Sequence, residues 1–154
     1  MTSGRRRLLL AGAGAGAVSL LRPVAHAQTL LSPPDELAAL VKTYTQGAVV
    51  LPGKVKLDIS PLVDNGNSVP ITISVASPMS ATDYVKSIAM FNEKNPQRDV
   101  IRVLLGPRSG KASVSTRIRL ANSQKLIAVA QLSDGTWWSH TVDVLVTLAA
   151  CIDI

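Results

Sequence analysis

Two periodicities divide the chain at Gly47. Upstream of it Leu37, Leu40, Val41 and Tyr44 recur at helical spacing, and Ser32, Pro33, Pro34 and Asp35 before them resemble a capping box with proline in the first turn. These signals predict one short helix that ends by Gly47. Downstream the period changes to two. Val55, Leu57 and Ile59 alternate with Lys54, Lys56 and Asp58, and after an Asn65-Gly66 turn Val69, Ile71, Ile73 and Val75 alternate with Pro70, Thr72 and Ser74. Pro70 has no N–H for a ladder bond, so its strand starts there or runs at an edge. Further strands are predicted over 85–92 and 100–105, separated by the turn-forming Lys94-Asn95-Pro96.

The clearest alternation lies in 112–120. Ala112, Val114, Thr116, Ile118 and Leu120 should face a core, and Ser113, Ser115, Arg117 and Arg119 should face water. The stretch 126–132 is apolar almost throughout, which predicts an interior strand, and Ser133-Asp134-Gly135 turns the chain into a last strand over 137–148. Seven short strands with Gly, Pro and Asn turns between them indicate an all-β fold, an immunoglobulin-like antiparallel β-sandwich with one short N-terminal helix. In the last strand Val142, Val144, Val146 and Leu148 mark the buried face, and the same parity continues through Ala150, Ile152 and Ile154. Cys151 then shares the wetter face with Ser139, Thr141, Asp143, Thr147 and Asp153.

The segment before the helix changes the meaning of the charge. Arg5, Arg6 and Arg7 precede an apolar stretch from Leu8 to Leu21, and Ala25-His26-Ala27 forms a small-x-small cleavage site before Gln28. The apolar stretch has 14 residues, short of the roughly 20 a membrane-spanning helix needs. Residues 1–27 are read as a cleaved signal peptide of twin-arginine type, with an ordinary secretory signal as the alternative, and the mature protein as periplasmic. The formal charge of +6 is mostly the leader's: it holds four of the 16 basic residues and none of the ten acidic ones, so residues 28–154 carry 12 against ten, or +2. Without a basic stripe interleaved with aromatics, nucleic-acid binding loses its main support.

Chemistry concentrates at one atom. Cys151 is the single cysteine of the chain, and His140 is the single histidine downstream of the leader, so His and Cys cannot assemble a metal site. A lone thiol in an oxidising compartment is reactive, bonded to another chain, or incidental. A thiol attacks as the thiolate, with an ordinary pKa of about 8.5, and Asp153 together with the terminal carboxylate disfavours that form. No base lies near in sequence, since His140 is 11 residues back on the same strand. The residues therefore favour a passive carrier, modified inside the active sites of other proteins, over a self-activated nucleophile.

A spaced series of motifs carries a resemblance. Asn65-Gly66-Asn67-Ser68-Val69-Pro70-Ile71, Ser77-Pro78-Met79, Tyr84-Val85-Lys86-Ser87-Ile88, Phe91-Asn92-Glu93-Lys94-Asn95-Pro96, Ser109-Gly110-Lys111-Ala112 and Ser115-Thr116-Arg117-Ile118-Arg119-Leu120-Ala121 resemble the SoxY family of thiosulfate-oxidation carrier proteins. The resemblance runs from about residue 55 to residue 151. It implies an immunoglobulin-like β-sandwich that pairs as a heterodimer with a small β-sandwich subunit, SoxZ. It further implies a cysteine, here Cys151, that holds a sulfur intermediate as an S-thiosulfonate or longer adduct while Sox-type enzymes load, oxidise and hydrolyse it. No resident cofactor or metal is implied; the covalent sulfur adduct is the cargo. The ending departs from the family's Gly-Gly-Cys-Gly-Gly arm: Ala149-Ala150-Cys151-Ile152-Asp153-Ile154 is stiffer and bulkier, which leaves the identity of the cargo open.

Other residues have plainer expectations. Of the adjacent Trp137 and Trp138, one should point into the core and one outward to surface or interface. Arg117 and Arg119 could meet an acidic partner or an anion but suit a solvated face, and His140 reads as incidental. Ser109-Gly110-Lys111 lacks phosphate-loop spacing and is a turn entering a strand. Three classes of function stay open on the residues alone: a non-enzymatic sulfur carrier, an enzyme with Cys151 as nucleophile, and an interaction module with an incidental or intermolecularly bonded cysteine.

Overall fold

In the computed structural model the structure describes residues 35–150. The leader over 1–27 and Cys151 both lie outside them. The helix α1 spans Glu36–Tyr44, and its N-cap is Asp35, whose carboxylate accepts from the N–H groups of Leu37 and Ala38. The cap is thus the last residue of the Ser-Pro-Pro-Asp run rather than its first; Ser32 lies outside the described residues. An Asp here satisfies two of the N–H groups a helix start leaves open and places negative charge at the positive end of the helix dipole.

Nine strands follow: β1 (Val50–Pro52), β2 (Val55–Asp58), β3 (Leu62–Val63), β4 (Val69–Val75), β5 (Val85–Asn92), β6 (Asp99–Leu104), β7 (Ser113–Ile118), β8 (Gln124–Leu132) and β9 (Trp137–Val146). One sheet runs β1-β9-β8-β5-β6, with β3 also on β9, and the other runs β2-β4-β7. Together they make the antiparallel β-sandwich that alternation predicts, and β8 is interior, as its continuous apolar run requires. β1 and β3 are the exceptions in direction: each pairs parallel to β9, at Val50 to Trp137 and at Leu62 to Leu145. Pro70 stands at the start of β4, beyond the last β2 pair, Asp58 with Thr72. The strand is central, and the missing donor falls where β2 has already ended.

Side chains from both sheets meet in one core that includes Ile73, Ile88, Met90, Leu120, Leu126 and Val144, all at most 1 % exposed. In the stretch 112–120 burial alternates as the pattern demands, with Ala112, Ile118 and Leu120 buried and Arg117 and Arg119 exposed. A second, smaller core lies on the outer face of the larger sheet, where Leu37 and Val41 of α1 cover Ala89, Phe91 and Val129. The tryptophans divide between the two. Trp138 packs against the inter-sheet core and Trp137 against the helix side, with Tyr44 edge-on to it at 5.4 Å. The outward ring is thereby covered by the chain's own helix. Arg98 pairs with Glu36, which ties α1 to the turn before β6.

The two sides of the sandwich differ. On one, His140 of β9 accepts a hydrogen bond at Nδ1 from the Leu57 N–H of β2, 3.0 Å away, and joins the edges of the two sheets. That bond gives the histidine a structural role, with Nδ1 as the acceptor. On the other side β6 and β7 leave a cleft of about 280 Å³, lined in part by Asp99, Thr116, Arg117 and Arg119. The Arg117 guanidinium turns towards the Ser68 carbonyl and hydroxyl at 3.5 and 3.4 Å. Neither arginine has an anionic partner among the described ion pairs.

Candidate functional site

Cys151, the expected site residue, lies outside the described residues, so the site is built from the backbone that delivers it. β9 ends at Val146. Alternation holds through Val142, Val144 and Val146 and then breaks, because the chain bends at residues 147–148 and Leu148 is 58 % exposed rather than buried. Parity returns at Ala150, which is 8 % exposed.

Past β9 the chain is held almost entirely by main-chain hydrogen bonds. The Thr147 N–H donates to the Val63 carbonyl at 2.9 Å, and its hydroxyl to the Asp64 carbonyl at 2.9 Å. Leu148 then offers its carbonyl to the Gly66 N–H at 2.8 Å, and Ala150 donates its N–H to the Leu120 carbonyl at 2.9 Å. The circuit closes between the two holders, since the Leu120 N–H donates to the Gly66 carbonyl at 2.9 Å. Upstream, the Ser123 hydroxyl accepts from the Val146 N–H at 2.9 Å. Three separate segments, around residues 63–66, 120–123 and 146–150, converge immediately before the cysteine.

Gly66 sits at the centre of this convergence and is buried. A Cβ on it would fall 2.4 Å from the Leu120 oxygen, 3.0 Å from the Ala150 nitrogen and 3.2 Å from Val146 Cγ1. Its φ is not among the positive values found at Gly47, Gly53, Gly110 and Gly135. The residue is therefore needed for close approach of backbones, not for a left-handed turn. An Asn-Gly pair in sequence suggests the turn, and residues 66–67 do turn; the absence of room for a side chain is visible only once residues 120 and 150 are in place.

The surface around this base is apolar in part. Leu62 and Leu145 are register partners, 54 % and 63 % exposed, and Leu148 is exposed as well. At the far end of β9 the Thr136 hydroxyl and N–H both donate to Asp134, which holds that carboxyl below its ordinary range, and the same hydroxyl accepts from Trp138 Nε1 at 2.9 Å. Among the described residues no group of three or more His, Cys, Asp or Glu side chains could hold a metal ion. Nor is any described helix long and apolar enough to cross a membrane.

Comparison with known proteins agrees with this architecture. Among solved structures, the sulfur carrier protein SoxY from Chlorobium limicola f thiosulfatophilum is similar at 23 % identity and a TM-score of 0.61, over 73 % of this chain and 96 % of that one. A superoxide reductase (neelaredoxin) from Ignicoccus hospitalis is similar at 19 % identity and a TM-score of 0.54, over 61 % and 80 %. A putative superoxide reductase from Thermotoga maritima follows at 17 % and 0.52, over 67 % and 89 %. At these identities the likeness is one of fold. Among curated protein sequences none matches the chain. The family model for the sulfur oxidation protein SoxY matches residues 41–151, from the middle of α1 through Cys151 itself, and the chain belongs to that family.

Proposed function

We propose that the protein is a carrier in sulfur oxidation, holding a sulfur intermediate covalently on Cys151 in the periplasm while partner enzymes attach and process it. The observation that carries this reading is the reach of the family match, which runs through the chain's single cysteine. The geometry is compatible with it: the last described residue is pinned to the rim of a sandwich packed on both faces of its larger sheet, so the thiol follows a fixed point. The resemblance supplies the rest of the proposal, a SoxZ-like subunit as partner and thiosulfate-derived sulfur as cargo.

Joining a cysteine thiol to the terminal sulfur of thiosulfate forms one S–S bond and releases one proton and two electrons. Those electrons must leave through a partner redox enzyme. Asp153 stands two residues from the sulfur and opposes the thiolate, which suits a thiol activated inside a partner's site rather than in this chain. The chain's part is then presentation: it keeps a rigid scaffold behind one reactive atom. Replacing Cys151 by serine should abolish oxidation of the sulfur compound in cells and leave thermal stability unchanged. Full oxidation by Cys151→Ser cells would reject the carrier reading.

A further inference from the structure

The backbone circuit at the tail base depends on one residue lacking a side chain. Gly66 gives its N–H to Leu148 and takes the N–H of Leu120, whose carbonyl in turn takes the N–H of Ala150. The two atoms that a Cβ at position 66 would meet first, the Leu120 oxygen and the Ala150 nitrogen, are the two atoms of the last hydrogen bond before Cys151. Both contacts are with backbone, which cannot swing aside as a flexible side chain can. Any side chain here must push the Ala150 and Leu120 backbones apart.

We infer that Gly66 is a positioning residue for the carrier thiol: it seats the chain at Leu148 and Ala150 and thereby sets how far Cys151 can travel from the sandwich. The inference rests on the carrier reading of Cys151. With the seat closed, the Cα of Cys151 is one peptide step, about 3.8 Å, from a hydrogen-bonded residue. With it open, the last anchor is Thr147, bonded to Val63, and four residues of extended chain span roughly 13–14 Å. The seated chain therefore has a short carrier arm, and loss of the Gly66–Leu148 and Leu120–Ala150 bonds would lengthen it. A partner with a shallow site can act on the short arm, whereas one with a deep site requires the long one. The alanines at 149 and 150 fit a seated tail, because they tolerate extended, bonded backbone at a lower entropic cost than glycine.

The chain's one cysteine allows a nitroxide to be placed on Cys151 alone, and amide hydrogen exchange reads the seat residue by residue. In the full chain isolated from cells, the Gly66 and Ala150 amides should exchange at least tenfold more slowly than amides in unstructured peptide. Gly66→Ala should speed exchange at Ala150 at least tenfold and narrow the nitroxide spectrum. Ala150→Pro, which deletes the donor to Leu120 and leaves position 66 a glycine, should mobilise the label equally and speed exchange at Gly66. It keeps the test decisive if Gly66→Ala does not fold. Gly110→Ala, at a left-handed φ of +77° with open space around it, should lower stability yet change neither the label nor the exchange at Ala150. Rapid exchange at Ala150 in the unsubstituted chain, or a nitroxide spectrum unmoved in Gly66→Ala and Ala150→Pro, would overturn the inference. Failure of the carrier reading shows elsewhere, as retained sulfur oxidation in Cys151→Ser, and leaves these exchange rates as they are.

Discussion

The inter-sheet core and the tail base are held by different forces. Between the sheets, large apolar side chains such as Ile73, Ile88 and Leu126 are removed from water completely, and the stabilisation scales with the apolar area they bury. At the tail base Val63 and Leu120 still reach that core, but Leu148 is more than half in solvent, and the segments are joined by backbone hydrogen bonds around a glycine. The difference teaches that scaffold stability and thiol placement are separable properties. A core substitution should then cost several kcal/mol without moving the point from which Cys151 departs. The tail base should likewise open without unfolding the sandwich.

Substitutions that act on one region and spare the other sharpen this contrast. Cys151→Ser should have the largest effect on function and none on the scaffold: covalent cargo disappears entirely, while the denaturation midpoint matches that of the unsubstituted chain, as the carrier reading requires. In the opposite direction, Ile73→Ala removes a fully buried side chain from the centre of β4. It should cost about 2–5 kcal/mol in denaturant unfolding, with alkylation of Cys151 in the folded protein unchanged. A change in that alkylation rate at denaturant concentrations where the protein stays folded would join the two regions and break the comparison.

Smaller effects test the stitching of the scaffold. His140→Ala leaves the Leu57 N–H without its acceptor on a residue 3 % exposed, which should cost about 1–3 kcal/mol and speed hydrogen exchange at Leu57. Asp35→Ala removes the α1 cap and should cost about 1 kcal/mol, with exchange accelerated in the first turn of α1 and not at Ala150. The Asp134 turn is the mildest case. Its carboxyl is held low by Thr136, so the stability it adds is present above the unfolded carboxylate range and is lost as pH falls through the lower folded value. Loosening of that turn in acid, followed by the Thr136 amide, should precede any change at the opposite end of β9.

Much of the scaffold was legible in the residues because its strands follow a strict period of two. Ala112 to Leu120 alternates in burial as read, the β8 run is interior, and the helix ends before Gly47. What escaped was set by partners distant in sequence. β1 and β3 have three and two residues, too short to show a period, and exist because β9 offers its edge. The cover over Trp137 depends on α1 folding back onto the sheet. Leu148 was expected inside, but the bend after Val146 turns it out. Gly66 is the sharpest case, since an Asn-Gly pair looks the same whether its glycine serves a left-handed turn or a close approach.

The proposed chemistry is read from the sequence as a single residue and no further. Counting cysteines isolates Cys151 without any fold, whereas the seat that precedes it needs residues 66, 120 and 150 brought together. Intact-mass spectrometry of the protein isolated from cells oxidising a reduced sulfur compound, with and without reductant, tests the carrier assignment most directly. The account predicts mass increments that map to Cys151 and vanish on reduction. An unmodified mass throughout, or increments on other residues only, would contradict it.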